Sequence, residues 1–272
     1  MLPALIRIEA RKLVKHPFLW LGLLGLVLFF TAYFAIRYAL IASSVKEGLV
    51  NTRGLELDLQ IGLALFSFVS ILFHAAAASL ICGADSLDRS IQMWLLRGVP
   101  RPLLLLARMI MVLGLGLLLS TAALVSILGL ASGARMIFLG SVSLEQVNFA
   151  EILPAIFRIF WAAAPYLALT VLLAVAGRSP LVAAGGTLLF RMVFENLLAG
   201  AAYRFPGLAR FLPMQMAAVL EFNTCTIDRA FKPLTLQGEF LTEPQAILMI
   251  GLLVTLMGGL SMLIFSRQDR GG

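Results

Sequence analysis

Long uncharged stretches alternate with shorter charged segments along most of the chain. A helix that crosses a hydrocarbon core about 30 Å thick needs about 20 consecutive, predominantly apolar residues. Five stretches are close to that length or longer, and they comprise residues 18–36, 61–84, 109–134, 159–177 and 244–266. Each of them predicts a transmembrane helix.

A sixth apolar stretch, residues 179–202, contains two charged residues, Arg191 and Glu195. Ionisable side chains inside a membrane almost always face the protein interior, where they find partners. This stretch therefore predicts a further span in which both charges face other helices. The Gly-Arg-Ser-Pro sequence at residues 177–180 predicts the tight turn that precedes it.

The composition agrees with this pattern. Of 272 residues, 61% are hydrophobic and 13% are charged, and the mean hydropathy is +0.98. One soluble core could not hide so many apolar side chains. We predict an all-α integral membrane protein in which residues 1–272 form a single transmembrane domain of six helices.

The net charge of +7 raises the question of a nucleic-acid partner. No Lys/Arg cluster with interleaved aromatic residues occurs, so we exclude nucleic acid as a partner. Membrane topology explains the charge better, because Lys and Arg accumulate in short cytoplasmic segments. On the side of both termini these residues are Arg7, Arg11, Lys12, Lys15, Arg89, Arg97, Arg101, Arg108, Arg178, Arg267 and Arg270. The longer segments on the other side contain Lys46, Arg53, Arg135, Arg204, Arg210, Arg229 and Lys232. We predict a multi-pass protein of the cell (inner) membrane with both termini cytoplasmic.

Residues 84–98, between the second and third spans, predict a short amphipathic helix on the cytoplasmic side. Asp85 or Ser86 can cap its start, and Gly98 with Pro100 ends it. One stripe of the helix is apolar and consists of Leu87, Ile91, Trp94 and Leu95. The other side is polar and consists of Asp85, Asp88, Arg89 and Gln92. Two interpretations stay open, a helix lying on lipid headgroups and a helix that docks on a protein; the mixed charge favours docking.

Residues 1–17 predict a basic amphipathic helix on the inner leaflet, with Pro3 in its first turn. Its expected apolar face consists of Ile6, Ala10, Leu13 and Val14, and its basic face of Arg7, Arg11 and Lys15. Anchoring to anionic lipid and contact with a partner are equally compatible with this pattern. On the outer side, residues 203–243 form the longest polar segment, and their apolar part predicts short helices in the loop.

Few polar residues occupy the spans themselves. Arg191 and Glu195 are four residues apart and can pair on one helix face, and Asn196 adds a neighbouring polar group. This set either holds helices together or lines a substrate path. His74 is alone in the second span, where a hydrogen bond to the backbone or to a neighbouring helix is the simplest expectation. No ligand spacing accompanies it, so we assign no metal site.

Three charged pieces in this order resemble the permease subunits of ABC-2-type transporters. They are "RIEARKLVKHP" before the first span, "GADSLDRSIQMWLLRGVPRPLLLLAR" between the second and third, and "FSRQDR" after the last. The family has an N-terminal "E..K" helix and a "G.E....GT...LL..P.SR..L...K" segment. The matching residues here are Glu9 and Lys12, then Gly83, Asp85, Leu95, Leu96, Pro100, Arg101 and Arg108. The departures are Asp85 for Glu, Arg89 and Ser90 for Gly-Thr, and Arg108 for Lys. The motifs cover the first three spans, and the remainder agrees in topology only.

The resemblance implies an exporter subunit that forms the substrate pathway as a dimer with a second permease copy or a paralogue. Residues 84–98 would be a coupling helix docked on a separate ATPase subunit, of which two copies bind the dimer. The implied coupling residues are Asp85, Ser86, Asp88, Arg89, Gln92, Arg97 and Arg101, and the N-terminal helix would contribute Arg7, Glu9, Arg11 and Lys12. The sequence contains no G-x-x-x-x-G-K-[ST] phosphate-binding loop. The chain is therefore not expected to be an enzyme or to hold a cofactor, and ATP and Mg²⁺ would be bound by the partner.

Other functions remain open. An ion-coupled secondary transporter could use His74, Arg191 and Glu195 as a proton relay, and it would need no ATPase. A non-transporting, permease-like structural subunit would have the same spans. An intramembrane enzyme has little support, because H-E-x-x-H and G-x-S-x-G motifs are missing.

Overall fold

The computed structural model describes residues 1–46, 55–83, 98–140, 149–202, 210–224 and 241–267, and every regular element in them is a helix. The chain begins with α1, Leu2–Lys15, and α2, Pro17–Lys46. These are followed by α3, Leu55–Gly83, α4, Arg101–Leu139, and α5, Phe149–Gly177. The next helix is divided by a π-helical turn, Phe190–Phe194, into α6, Pro180–Leu189, and α7, Glu195–Ala202. The last two helices are α8, Pro213–Thr224, and α9, Glu243–Arg267.

Five helical segments among the described residues are long and apolar enough to cross a membrane. They are Leu19–Ala42, Arg101–Leu139, Leu153–Gly177, Pro180–Leu198 and Glu243–Arg267. The other predicted span, residues 61–84, falls almost entirely in α3, a helix of 29 residues whose described apolar part is the shorter segment Val69–Cys82. These helices indicate a multi-pass, all-helical membrane protein, which confirms the predicted class.

The helix α4 extends beyond the predicted span 109–134 at both ends. It begins after Pro100, and it ends at Gly140, whose φ of 70° is the left-handed conformation common just after a helix. Its 39 residues correspond to about 58 Å, nearly twice the thickness of the hydrocarbon core. Arg108 and Arg135, which the sequence pattern assigned to connecting segments, therefore lie inside a helix, and both are buried.

Neighbouring long helices run antiparallel. Asp58 near the start of α3 contacts Arg135 near the end of α4, and His74 farther along α3 contacts Gly116 nearer the start of α4. The same antiparallel order holds for α2 with α3, and for α5 with the helix formed by α6 and α7. By contrast, α5 and α9 are parallel, since successive contacts advance together along both helices. The helices therefore form an up-and-down bundle.

The two ends of the bundle differ in chemistry. One end, called the ion-pair end below, holds the last turns of α2 and α4 and the first turns of α3 and α9, with ion pairs of Asp58 and of Glu243 to arginines. The opposite end, called the α1 end, holds α1 against the first turns of α4, where Leu5 is buried among Val99, Leu104 and Ala107. The ion pairs that Asp58 and Glu243 form between described helices therefore lie at the same end.

The core near the ion-pair end is built from aromatic side chains and one close crossing. Phe30 and Phe34 of α2 stack with their ring centroids 6.3 Å apart and are buried against Phe66 of α3 and Ile127 of α4. The helices α3 and α4 approach closely at Gly62, where a Cβ atom would lie 2.6 Å from Cγ2 of Ile127. Only glycine fits this crossing without displacement of the neighbouring side chain.

The helix α5 is the central helix of the bundle. Of its most apolar part, 67% is buried, compared with 17% for the corresponding parts of α2 and α9. The short helix α8 packs against α5 through Met216, Ala217 and Leu220, which are buried with Ala162 and Ala164. This confirms the prediction of a short helix within residues 203–243, and it shows that α8 packs on the bundle.

Candidate functional site

The predicted charge pair in residues 179–202 lies at an irregularity of the helix. Between α6 and α7 the chain forms the π-helical turn, and the backbone N–H of Glu195 donates to the carbonyl oxygen of Phe190, five residues earlier. Such turns are frequent at functional sites. Glu195, the first residue after the turn, is fully buried with 0% of its surface exposed, whereas its neighbours Phe194 and Asn196 are exposed.

The carboxylate of Glu195 joins three elements. One oxygen, Oε2, accepts a hydrogen bond from the hydroxyl of Tyr166 in α5 at 2.7 Å and an ionic contact from Nη1 of Arg191 at 3.5 Å. The other, Oε1, accepts a hydrogen bond from the backbone N–H of Met214 in α8 at 2.9 Å. Burial of a carboxylate without hydrogen-bond donors costs much free energy, so these three contacts make the buried position of Glu195 possible. Glu195 therefore fastens α7 to both α5 and α8.

Arg191 forms the longest of the three contacts to Glu195, and its side chain is partly exposed. Its guanidinium also lies over the ring of Tyr166, 5.5 Å from the centroid, which is a cation–π distance. The pairing predicted from the four-residue spacing is confirmed. The Tyr166 and Met214 contacts were not predicted, because they join residues 29 and 19 positions from Glu195 and no spacing rule connects them.

Two threonines extend this polar site by one helical turn between α5 and α6. The hydroxyls of Thr170 and Thr187 are 2.9 Å apart, and both side chains are fully buried. Thr170 also contacts the carbonyl oxygen of Tyr166, and Thr187 that of Ala183, each four residues earlier. We call Tyr166, Thr170, Thr187, Arg191 and Glu195 the Glu195 site. It is a continuous polar strip between two apolar helices.

A second buried charge cluster lies where no site was predicted. Asp58 of α3 forms ion pairs with Arg37 of α2 at 3.0 Å and with Arg135 of α4 at 3.2 Å. The hydroxyl of Tyr38 donates a third hydrogen bond to the same carboxylate. Among the described residues, two cations contact this one anion, and the contacts join the first three long helices at the ion-pair end.

A signal for this cluster was present in the sequence. Arg37 directly follows the predicted span 18–36, Arg135 directly follows the predicted span 109–134, and Asp58 lies just before the span that begins at residue 61. All three positions fall on the same predicted face of the membrane. Opposite charges at neighbouring span ends on one face are candidates for pairing, because partners lower the cost of their burial.

Both ring nitrogens of His74 lie within hydrogen-bond distance of backbone carbonyl oxygens. Its Nδ1 lies 2.7 Å from the carbonyl oxygen of Ser70 in the same helix, and its Nε2 lies 3.2 Å from that of Gly116 in α4. A neutral imidazole carries one N–H, so it donates to one of the two carbonyls. The expected hydrogen bond to the backbone or to a neighbouring helix is confirmed. Neither contact joins His74 to Arg191 or Glu195.

Asn196, the fourth predicted polar residue of the spans, does not join the Glu195 site. Its side chain is exposed and donates through Nδ2 to the carbonyl oxygen of Met192, one turn earlier in the same helix, at 2.7 Å. The hydrogen bond satisfies the amide group locally. Asn196 therefore faces away from the carboxylate beside it in the sequence.

Most of the predicted coupling segment lies outside the described residues, namely Asp85, Ser86, Asp88, Arg89, Gln92 and Arg97. The described chain resumes at Gly98, which has a φ of 73°, the left-handed conformation that glycine adopts readily. Arg101, the remaining predicted coupling residue, is the first residue of α4 and is half-buried. The described chain therefore resumes at the α1 end of the bundle.

The predicted contact residues of the N-terminal helix divide into two groups. Glu9 is buried and accepts a contact from Nζ of Lys12 at 3.3 Å, so the two residues of the "E..K" pattern pair with each other. Arg7 and Arg11 are exposed. Two of these four predicted contact residues are thus paired locally, and the two arginines face outward.

The predicted apolar face of α1 is wrong in part. Val14, assigned to that face with Ile6, is 53% exposed, whereas Leu5 and Glu9 are buried. The reason is that α1 packs on α4 through its first two turns, with Leu2, Leu5 and Ile6 in contact with the cluster around Leu104. The buried face is therefore centred one position earlier than the sequence pattern indicates.

In the described parts of the chain, no three His, Cys, Asp or Glu side chains lie together as a metal site would require. Comparison with models of known protein families and with curated proteins finds no match for this sequence.

Proposed function

We propose that the chain is the transmembrane subunit of an ATP-driven exporter of the ABC-2 type, which works as a dimer with two separate ATPase subunits. The observation that carries the proposal is the packing of α1 against the start of α4. Leu5, 4% exposed, lies among Val99, Leu104 and Ala107. Residues 84–97 immediately precede these positions of α4. The N-terminal piece is therefore a neighbour of the described part of the second piece, residues 98–108, at one end of the bundle.

This arrangement supports a single contact surface for an ATPase. A partner bound to residues 84–98 would come close to the exposed Arg7 and Arg11 of α1. The pairing of Glu9 with Lys12 next to the buried Leu5 would hold α1 in place as part of that surface. ATP binding to the ATPases could then shift the bundle between two conformations through contacts that differ in the two states.

The proposed topology has six spans with the α1 end in the cytoplasm of the cell (inner) membrane. The antiparallel contacts of α2, α3 and α4 support α3 as a span between its two neighbours. Arg101 and Arg267 lie at the α1 end, where the positive-inside rule places such residues. Under this proposal the ion-pair end and α8 are on the outer side.

Purification in mild detergent from the native membrane tests the proposal. A protein with a phosphate-binding loop should co-purify with the chain in equal amounts. Reversal of charge by Asp85→Arg and Arg89→Glu should reduce both co-purification and stimulated ATP hydrolysis while expression stays unchanged. Arg53→Glu, a charge reversal on the predicted outer side, serves as the matched control and should have no effect.

Two results would overturn the proposal. Transport driven by an ion gradient without any ATPase would favour the ion-coupled alternative with His74, Arg191 and Glu195. Normal ATPase coupling in the Asp85→Arg, Arg89→Glu variant would show that residues 84–98 do not form the contact with the ATPase. Among the described residues, the hydrogen bonds of His74 go to Ser70 and Gly116, whereas those of Glu195 go to Tyr166 and Met214.

A further inference from the structure

A cavity of about 440 Å³ opens at the α1 end of the bundle. It lies between the last turn of α1, the first turns of α2 and the second half of α3, and Met111 and Leu119 of α4 close it from behind. Its volume falls in the range of about 300–1,000 Å³ that is typical of small-molecule sites. Neither the Glu195 site nor the Asp58 cluster contributes to it.

The body of the cavity is apolar. Its walls include Leu19 and Gly22 of α2 and Phe73, Ala77 and Leu80 of α3. At Gly22 a Cβ atom would make an ordinary contact, 3.6 Å from the Phe73 ring, so the missing side chain leaves space without being required by the packing. Apolar walls offer water no hydrogen bonds, whereas a hydrocarbon chain that contacts them is removed from water favourably.

The mouth of the cavity is polar and carries positive charge. Lys12, Lys15 and His16 line it together with Glu9. The Glu9 carboxylate is engaged by Lys12 at 3.3 Å, which leaves Lys15 as the positive charge that this pair does not balance. An anionic group therefore complements the mouth.

Trp20 places the mouth at the level of the lipid headgroups. Its side chain is 58% exposed, and its indole N–H donates to the carbonyl oxygen of Val14 at 2.8 Å. Tryptophan is enriched at membrane–water interfaces, and the apolar segment of α2 begins beside it at Leu19. The cavity thus runs from the interface into the hydrocarbon layer.

We propose that this cavity binds an anionic phospholipid, with one acyl chain in the apolar body and the phosphate beside Lys15 and His16. The lipid would join α1 to the gap between α2 and α3. It would thereby stabilise the position of α1 at the α1 end. Lipid binding in this cavity requires only that the chain resides in a membrane, and it does not depend on an ATPase partner.

The test is lipid binding by the purified full-length chain, measured by native mass spectrometry and by the thermal unfolding midpoint. Phosphatidylglycerol should bind and raise the midpoint, phosphatidylcholine should do so less, and inorganic phosphate alone should do neither. Gly22→Leu fills the cavity and should abolish the phosphatidylglycerol effect. Gly25→Leu adds the same side chain to the same helix at a position with open space around it, and should leave the effect intact.

Lys15→Gln tests the headgroup position without touching the apolar body. It should reduce the affinity for phosphatidylglycerol about fivefold, the effect of one surface charge on an anionic lipid, and leave phosphatidylcholine binding unchanged. Undiminished phosphatidylglycerol binding in Gly22→Leu would overturn the site. An unchanged preference for phosphatidylglycerol in Lys15→Gln, or stabilisation by phosphate alone, would overturn the assignment of the ligand.

Discussion

Asp58 of α3 accepts a hydrogen bond from Nη1 of Arg135 in α4 at 3.2 Å, across 77 residues of sequence. The same carboxylate binds Arg37 of α2 at 3.0 Å, and both the Asp58 and Arg135 side chains are buried. One anion therefore neutralises charge from two helices. The ion pairs of Arg37 and Arg135 and the hydrogen bond from Tyr38 meet at this residue, so it connects α2, α3 and α4.

Replacement of Asp58 by Asn should destabilise the bundle strongly, because Arg37 and Arg135 would both lose their ion pair with a buried carboxylate. Removal of one partner from a buried ion pair typically costs about 3–5 kcal/mol, and we expect the lower end here because Arg37 is partly exposed. The free energy of unfolding in detergent measures the effect. Arg37→Gln should cost much less, since Arg135 still pairs with Asp58; equal losses in the two variants would contradict this account.

The Glu195 site gives a second prediction. Tyr166→Phe removes one hydrogen bond to a buried carboxylate, which should cost about 1.5–3 kcal/mol. Arg191→Leu should cost less than Tyr166→Phe, because its 3.5 Å contact is longer and its side chain is partly exposed. Thermal unfolding midpoints of the two variants, compared with Asn196→Ala as the neighbouring exposed control, measure this order.

The double variant Arg191→Leu, Glu195→Leu distinguishes a simple pair from the observed site. A two-residue ion pair can often be replaced by apolar side chains without loss. Here the Met214 N–H and the Tyr166 hydroxyl would both lose their acceptor, so the double variant should remain clearly less stable than the original chain. A double variant of unchanged stability would show that the contacts to α5 and α8 contribute little.

The close crossing at Gly62 gives a prediction about helix packing. Gly62→Ala places a Cβ atom 2.6 Å from Cγ2 of Ile127, so the helices or the isoleucine must shift. Such overpacking typically costs about 1–3 kcal/mol. Gly129→Ala in α4 is the matched control, because nothing lies within 4 Å of its Cβ position and alanine favours a helix. The expected unfolding midpoint falls for Gly62→Ala and stays equal or rises for Gly129→Ala; a fall in both variants would contradict the role of the crossing.

Much of the fold was predictable because its signal is local. A span leaves a local signal, a predominantly apolar stretch, so every predicted span falls within described helical segments except for the end residues 84, which is not described, and 179, which directly precedes α6. The ends of the helices were less predictable. The charge of Arg135 suggested that the span ends at residue 134, but α4 continues to Leu139. The side chain is tolerated there because Asp58, distant in sequence, supplies its partner. The limits of a span therefore depend on tertiary contacts that hydropathy does not contain.

The candidate sites divide in the same way. The contact between Arg191 and Glu195 was predictable from a four-residue spacing, since such residues share a helix face. The contacts of Glu195 with Tyr166 and Met214 depend on how α5 and α8 pack, and no periodicity encodes that packing. The cavity beside Gly22 likewise exists only once three helices are assembled.

The packing of α1 gives the last prediction, which links the fold to the proposed function. Leu5→Glu places a charge among Val99, Leu104 and Ala107 and should release α1 from the start of α4, because no partner for a carboxylate is described in this apolar cluster. Trypsin should then cleave faster after the exposed Arg7 and Arg11. Val14→Glu introduces the same charge at a position that is 53% exposed and should leave the cleavage rate unchanged. If α1 is part of the ATPase contact, Leu5→Glu also lowers stimulated ATP hydrolysis while the Val14 control does not. Faster cleavage of Leu5→Glu with normal ATP hydrolysis would support the packing of α1 on α4 but contradict a role of α1 in the ATPase contact. Equal cleavage rates in the two variants would show that the packing on α4 does not hold α1 in place.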